Sequence, residues 1–528
     1  MLLSYLPLQA TRQFSKFIIE YAVENKLFHF LDNDYFNNSY IKKTIESRKH
    51  FSTIQRNELA DILIAQNSFL SLHESVLHNI KLLRNNNCFT ITTAHQPCLF
   101  TGPIYTIVKA ISAIKLAQQY KKDFPENDFV PVFYIGSEDH DIDELNHINL
   151  FNKKINWQTN QSGAVGSMNL AGIDEVINEI ENLFQNEIRK DEIIAILKKS
   201  YQPEYSMSKA FRCLLNELLG SYGLVILDAN EPKLKQYFKP IIKDELINQN
   251  SVILLNDKNW LANFENNELQ ITPREINLFY LDNNSRERII KENETWKVNN
   301  TDLKFSKHEI ESLVDSNTEK FSPNVVLRAL YQSIILPDVA FVGGGSEVTY
   351  WLQLKTLFDF YKIDFPKIEL RDSIFWINEQ AEQKRLKWNF EVADIFKNVN
   401  DLIVDYTEKN GGLNVDAEIE AIQTKIAELN EKIKLHDKTY EPISLAVATQ
   451  INNQFENLQK KLLQADKKKL SDSIQQIQKW REKLLPNNHL HERHDNFISY
   501  FLKYGNQFVE TLMVHLTPQN KNIKVFTQ

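Results

Sequence analysis

Apolar runs too short for helices and too continuous for one-faced strands constrain this chain more than any other feature. The run at 88–93 favours β structure and ends in His95-Gln96-Pro97, followed by a Thr101-Gly102-Pro103 break. Beyond it Ile104, Ile107, Val108, Ile111 and Ile114 follow a helical period up to Tyr120. The same order recurs at 129–135, closed by Gly136, and at 223–227, closed by Asp228. A further copy at 339–342 stops at Gly343-Gly344-Gly345 and leads into a predicted helix over 350–360. Strands buried along their whole length and alternating with helices are what a parallel sheet covered on both faces requires. The core is therefore expected to be α/β and doubly wound, with ligands at the strand C-terminal ends.

At 528 residues the chain is several times the usual domain size and holds more than one unit. Before the first strand, Phe14, Phe17, Ile18 and Tyr21, then Leu59, Ile62, Leu63 and Leu70, predict N-terminal helices around the core. Two stretches, near 151–205 and 246–320, are richer in Asn, Glu and Lys and poor in buried-strand runs, and read as inserted subdomains. Toward the C-terminus, Ile419, Ile422, Ile426, Leu429 and Ile433 alternate spacings of three and four. Ile451, Phe455, Leu458 and Leu462, then Leu470, Ile474 and Ile477, continue that rhythm, which is coiled-coil grammar. Tyr440-Glu441-Pro442 predicts a bend between two long helices. We place a core unit at 1–385 and a C-terminal helical coiled-coil unit at 386–528. A homodimer through this arm is the preferred reading, and a hairpin closed on its own seam is the other.

The charge of −8, from 61 basic and 69 acidic residues, gives no electrostatic case for nucleic acid as a partner. No run is long enough to span a bilayer, and the first twelve residues lack a signal-like pattern, so no membrane association is expected. Three cysteines without a CxxC pair suit a reducing, cytoplasmic setting.

Three strand-end segments carry candidate chemistry. His95, Gln96, Gly102 and Pro103 lie between a strand and a helix, whose N-terminal amides suit phosphate or carboxylate oxygens, and Tyr105 and Lys109 share one face of that helix. An ordinary Pro-Gly turn with a satisfied histidine has the same composition. The segment Gly136 to His147 concentrates Glu138, Asp139, His140, Asp141, Asp143, Glu144 and His147. That much negative charge must be solvated, neutralised by a cation or used in proton transfer. Its spacing matches no standard zinc pattern, and we expect no resident metal set. Gly343, Gly344, Glu347 and Tyr350 form the third segment; Val348 stands where GxGxxG needs glycine, so no dinucleotide site is inferred. Arg328 is a candidate carboxylate clamp or an ordinary ion pair. His491-Glu492-Arg493-His494 is one residue short of HExxH, which removes a metalloprotease reading. Cys88, Cys98 and Cys213 read as structural thiols.

In this order these segments resemble the cysteine-adding enzyme family of bacillithiol biosynthesis, the cysteine ligases called BshC. The resemblance rests on 93–117, 130–147, 222–228, 321–328 and 339–355, and on Leu485-Pro486, His491-Glu492-Arg493 and Tyr504-Gly505. It covers most of the chain, and the stretch from Pro131 through Glu138-Asp139-His140-Asp141 to Asn146-His147 is its most specific part. Ala94 stands where the family usually has glycine, and Gly344-Gly345-Ser346 replaces a Gly-Pro-Gly-like turn. The resemblance implies a Rossmann-like core related to nucleotidyltransferases and class I aminoacyl-tRNA synthetases, two connecting-peptide insertions and a coiled-coil dimerisation domain. It implies a ligase that joins the carboxyl group of L-cysteine to the amine of glucosaminyl malate, giving bacillithiol, a low-molecular-weight thiol.

Amide formation from a free carboxylate needs activation, so ATP is the expected cofactor, with Mg²⁺ beside it, through an adenylate or an acyl phosphate. On this resemblance His95, Gln96 and the amides near Gly102 and Pro103 steady phosphate oxygens. Glu138 and Asp141 orient amines or Mg²⁺, and Lys109 and Arg328 meet carboxylates. Asp139 or His140 takes the amine proton, and His147, Gly343, Gly344, Glu347, Tyr105 and Tyr350 complete the site. Two rival functions remain at this point: a carboxylate-bridged metal hydrolase using the Glu138 to His147 cluster, and a dimeric nucleotide-binding scaffold without turnover.

Overall fold

The computed structural model describes residues 2–150, 153–264, 269–282, 284–412 and 415–527. The chain divides into two compact units: one is Pro7–Phe375 with Glu492–Val525, the other Met1–Leu6, Trp376–His491 and Phe526–Gln528.

The larger unit is built on five strands: β1 (Cys88–His95), β2 (Asp128–Ile135), β3 (Val225–Asp228), β4 (Asp338–Gly343) and β5 (Lys367–Leu370). Their order in the sheet is β5-β4-β1-β2-β3, and every neighbouring pair is parallel. Each position of β4, and all but one of β1 and of β2, is buried, as a sheet covered on both faces demands. The order 3-2-1-4-5 is the Rossmann order, in which the winding direction reverses between β1 and β4. That reversal opens a crevice at the C-terminal ends of these two strands, where His95 and Gly344 stand. After β1 the chain enters α1 (Tyr105–Asp123), whose Ile107, Ile111 and Ile114 are buried. After the first insertion comes α2 (Met207–Leu219), capped by the Ser206 hydroxyl. Next, α3 (Val325–Ile335) is capped by Asn324 and precedes β4, and α4 (Gly345–Gln353) comes after it.

The helix predicted over 350–360 is in fact two. The second, Lys355–Tyr361, restarts after Leu354, whose N–H is shared between the carbonyls of Tyr350 and Trp351, a tightened last turn. The N-terminal shell is helical at Lys16–Ala22, Asn38–Arg48, Thr53–Gln66 and Glu74–Leu82; Leu70 falls beyond the third of these.

The second insertion, which reads as a subdomain poor in buried-strand runs, is built on strands all the same: Leu278–Asp282, Ser285–Glu292, Thr295–Val298 and Lys304–Ser306 join Phe321–Pro323 in an antiparallel five-stranded sheet. Leu278–Asp282 and Thr295–Val298 alternate buried and partly exposed positions, whereas Ser285–Glu292 buries only Arg286 and Ile289, three apart and so on opposite faces, with Glu287 and Arg288 between them breaking any continuous apolar run. The start of the first insertion, at Phe151, lies outside the described residues. From Lys153 onward the insertion contributes one strand of a hairpin, Lys153–Asn156 pairing with His147–Leu150, and the helices Ile173–Leu183 and Lys190–Ser200.

The smaller unit contains α5 (Asp416–His436), α6 (Glu441–Lys469) and α7 (Ser471–Leu484). The bonds Gln423 to Asn452, Ser444 to Asn430 and Gln459 to Asp416 run in opposite senses along α5 and α6, which makes the pair an antiparallel hairpin. Pro442 sits in the first turn of α6, where its missing N–H costs nothing. The hairpin buries Ile419 and Ala448 but leaves Ile422, Leu429, Ile443, Leu445, Val447 and Leu458 exposed.

Candidate functional site

The crevice between β1 and β4 holds a cavity of about 560 Å³, within the range of small-molecule sites. Its lining includes His95, Gln96, Tyr105, Lys109, Glu138, Asp139, Arg328, Gly344, Glu347 and Tyr350, ten of the sixteen residues expected from sequence. The strand-end rule brings them together, because β1, β2 and β4 all finish on the same rim.

Gly102 and Pro103 shape this rim without lining the cavity. The loop after His95 passes through positive φ at Phe100, Thr101 and Gly102, and a Cβ on Gly102 would approach the Cβ of Cys98 to 2.8 Å. Asn496, fully buried, donates from one amide nitrogen to the carbonyls of Phe100 and Gly102, and Pro103 forms a bridge with the same residue. The loop thereby aims His95 at Tyr105. The His95 Nδ1 lies 3.0 Å from the Gln96 carbonyl, which can only accept, so Nδ1 carries the proton and Nε2 accepts from the Tyr105 hydroxyl at 2.8 Å. Burial, with Lys109 and Arg328 adding to it, pushes the ring down to about 4, so the imidazole is neutral near pH 7.

One turn along α1, the Lys109 Nζ meets Glu347 Oε2 at 2.5 Å and donates to the Ala94 carbonyl at 3.1 Å. Glu347 also accepts the Gly344 N–H at 2.8 Å, so this pair ties the helix after β1 to the helix after β4. Burial works to raise the Glu347 carboxyl, but Lys109 and the Gly344 amide hold it below its ordinary value. Gly343 itself is buried under Glu347 and Phe341, accepts the Arg371 N–H through its carbonyl, and does not line the cavity.

The acidic segment is pulled apart in space. Glu138 forms a buried ion pair with Lys235. Asp139 accepts from the Gln96 amide at 3.1 Å and from the backbone N–H groups of His140 and Asp141. Burial works to raise Asp139, but Gln96, Arg286 and those amides overcome it and keep the carboxyl depressed. His140, Asp141 and His147 lie outside the cavity lining. His140 is exposed and accepts from the Arg286 guanidinium at 3.0 Å, Asp141 is exposed at the head of a short helix, and His147 donates to the Asp143 carbonyl. Burial, then the Arg286 charge, lowers His140. Among the described residues no three His, Cys, Asp or Glu side chains converge as a metal site would require.

The cationic wall was largely missed by sequence reasoning. Arg328, on α3, gives Nη2 to the Tyr350 hydroxyl at 2.5 Å and lies 5.8 Å from the Tyr134 ring centre. Arg286 enters from the inserted sheet, donates to the Ser322 hydroxyl and the Pro323 carbonyl, and lies 4.0 Å from the centre of the Phe279 ring. Arg371 and Arg493 complete the wall. Among the described residues, Arg286, Arg328 and Arg493 have no carboxylate within ion-pair distance, and Arg371 Nε is buried without a hydrogen-bond partner. These donors fit oxyanions, whether phosphate or carboxylate. Arg371 ends the strand run at 367–370 and was open to the strand-end rule; Arg286 had no local signal, because a distant segment delivers it.

The three free thiols are buried, and burial pushes both Cys88 and Cys98 up to about 12, as inert structural cysteines require. Among the described residues no helix is long and apolar enough to cross a membrane.

Comparison with known proteins agrees with this architecture. The family model described as "Bacillithiol biosynthesis BshC, N-terminal Rossmann-like domain" matches residues 1–372, and "Bacillithiol biosynthesis BshC, C-terminal coiled-coil domain" matches 374–528. The chain is 39% identical to a protein of Flavobacterium psychrophilum over 97% of its own length and 96% of the relative's. It is 36% identical to one of Flavobacterium johnsoniae, over 98% of each chain, and 37% identical to one of Cytophaga hutchinsonii, over 98% and 97%. Each of these carries the name "Putative cysteine ligase BshC".

Proposed function

This chain belongs to the BshC family of bacillithiol biosynthesis, and we propose that its switch-point cavity couples the carboxyl group of L-cysteine to the amine of glucosaminyl malate. The observation that carries this reading is that Arg286, Arg328, Arg371 and Arg493 line one cavity together with Asp139. A substrate with two malate carboxylates and an amine presents the complementary charges: carboxylates toward Arg286 and Arg328, amine toward Asp139. His95, neutral and fixed by Tyr105, holds the loop that borders the site. Phe279 and Tyr134 supply apolar wall, which excludes water from the reacting carboxyl.

ATP, when bound, supplies the activation that a free carboxylate lacks. Arg371 and Arg493, beside the amides that open α4 at Gly345 and Ser346, are the groups that would hold its phosphates. A Mg²⁺ ion carried on those phosphates would meet Asp139, the lining carboxylate that is not paired with a lysine among the described residues. Incubation of the purified chain with cysteine, glucosaminyl malate and ATP, read by thiol-specific mass spectrometry, tests the reading. The product should form, and should form more slowly at limiting glucosaminyl malate in Arg328→Met; absence of product under every nucleotide condition refutes it.

A homodimer formed through the α5–α6 hairpin, in the cytoplasm, belongs to the same proposal. Its support is the set of apolar side chains the hairpin leaves exposed, Ile422, Leu429, Ile443, Leu445 and Val447. Light scattering should give twice the chain mass, and Ile443→Glu should halve it.

A further inference from the structure

Arg371 is held on the cavity wall by three side-chain hydrogen bonds, and one of its nitrogens, Nε, is left without a partner among the described residues. It is only 6% exposed. Nη1 donates to the Asp372 carbonyl at 2.6 Å and to the Ser373 hydroxyl at 3.3 Å, while Nη2 donates to Glu492 Oε1 at 2.8 Å. The backbone N–H of Arg371 is bonded to the Gly343 carbonyl. The Nε–H is buried and has no hydrogen-bond partner among the described residues. A Cβ built on Gly344 would stand 3.8 Å from this Nε, so the orphan donor lies beside a glycine that itself lines the cavity.

A buried donor without an acceptor carries its desolvation penalty uncompensated, and where such a donor borders a cavity a bound ligand can supply the acceptor. The guanidinium is planar, so two pinned terminal nitrogens dictate where the Nε–H points. The pin is Glu492, which is fully buried. One carboxylate oxygen takes Arg371 and the other takes the Ile374 N–H at 2.8 Å, so the carboxylate itself cannot swing. The glutamate of His491-Glu492-Arg493, which makes no metal motif, thereby acquires a role.

We propose that Arg371 Nε–H donates to an oxyanion of the bound substrate, carboxylate or phosphoryl, and that Glu492 is the positioning residue that aims it. The inference rests on reading the cavity as a site for acidic substrates. The guanidinium lies 5.4 Å from the centre of the Tyr105 ring, so the same residue links the His95–Tyr105 pair to the α4 rim.

Isothermal titration of the full chain with malate and, separately, with inorganic pyrophosphate tests this. Arg371→Lys keeps the charge and removes the Nε–H. It should weaken one or both probes at least tenfold with the melting midpoint unchanged; loss of malate identifies a carboxylate and loss of pyrophosphate a phosphoryl group. Glu492→Gln keeps an acceptor for Ile374 and removes the charge, and should weaken the same probe threefold to tenfold. The double variant should be no weaker than Arg371→Lys alone. Affinities within twofold of the parent for both probes overturn the inference, as does weakening that only accompanies a lowered midpoint. If Arg371→Lys fails to fold, Glu492→Gln decides by the same criteria. A parent chain that binds neither probe overturns the acidic-substrate reading together with this inference, whereas a parent that binds and a variant that binds equally well overturns the inference alone.

Discussion

Replacing Lys109 by methionine leaves Glu347 a carboxylate at the switch point without its cation. The pair is close, 2.5 Å, and Lys109 is only 3% exposed, so little solvent screens it. Removing one member of a buried pair costs ~3–5 kcal/mol, because the other charge stays behind unpaired. Glu347 keeps the Gly344 N–H at 2.8 Å and has an 18% exposed side chain, which places this case near ~3 kcal/mol on that scale. At 1.4 kcal/mol per decade this is roughly a hundredfold in the local opening equilibrium. Amide exchange read by mass spectrometry should therefore quicken about a hundredfold over α1 and α4 and little elsewhere.

The pH dependence of that loss has a definite sign. In the parent chain the folded Glu347 carboxyl lies below its ordinary value, so its contribution is present at neutral pH and disappears as pH falls through the depressed value. In the variant burial acts on Glu347 without Lys109, the carboxyl rises, and the penalty is greatest at neutral pH and shrinks as acid protonates it. Adding Glu347→Gln should recover most of the exchange protection. Exchange within threefold of the parent, or a penalty that does not shrink in acid, would refute the argument that this pair latches the two halves of the sheet.

The same geometry sets further outcomes. Arg328→Met removes a charge-assisted donor worth ~1.5–3 kcal/mol, so KM for the acidic substrate should rise about 10- to 150-fold in steady-state assays. Cys98, pushed up to about 12 by burial, should resist iodoacetamide at pH 8 until the chain is unfolded by urea. His95, pushed down to about 4, should show no ring titration between pH 5 and 8 by NMR, and a titration in that window would refute the neutral tautomer drawn above. Gly102→Ala puts a side chain at φ +63° against Cys98, and should lower stability by ~1–3 kcal/mol in thermal melts.

How far the sequence could be read depended on whether the signal was local. Strand runs at 88–93, 129–135, 223–227 and 339–342 carried a parallel sheet, because burial on both faces leaves continuous apolar stretches in any such chain. The rim residues His95, Lys109, Asp139, Gly344 and Glu347 came from the strand-end rule, and the C-terminal hairpin from its three-four spacing with Pro442 at the turn. The inserted sheet escaped because strands such as Ser285–Glu292, which bury only Arg286 and Ile289, mix Arg and Glu with Ile and resemble loop composition until a partner strand covers them.

Tertiary structure decided how charges are partnered. Sequence placed five carboxylates in one short segment, but the fold gave Glu138 to Lys235, nearly a hundred residues away, and left Asp141, Asp143 and Glu144 exposed. It brought Arg286 from an insertion and Glu492 from near the C-terminus to Arg371, so the wall that defines the cavity joins segments with no common local pattern. Backbone periodicity is written over neighbouring residues, whereas an ion pair or an orphaned donor depends on distances of a few ångströms that only folding brings about.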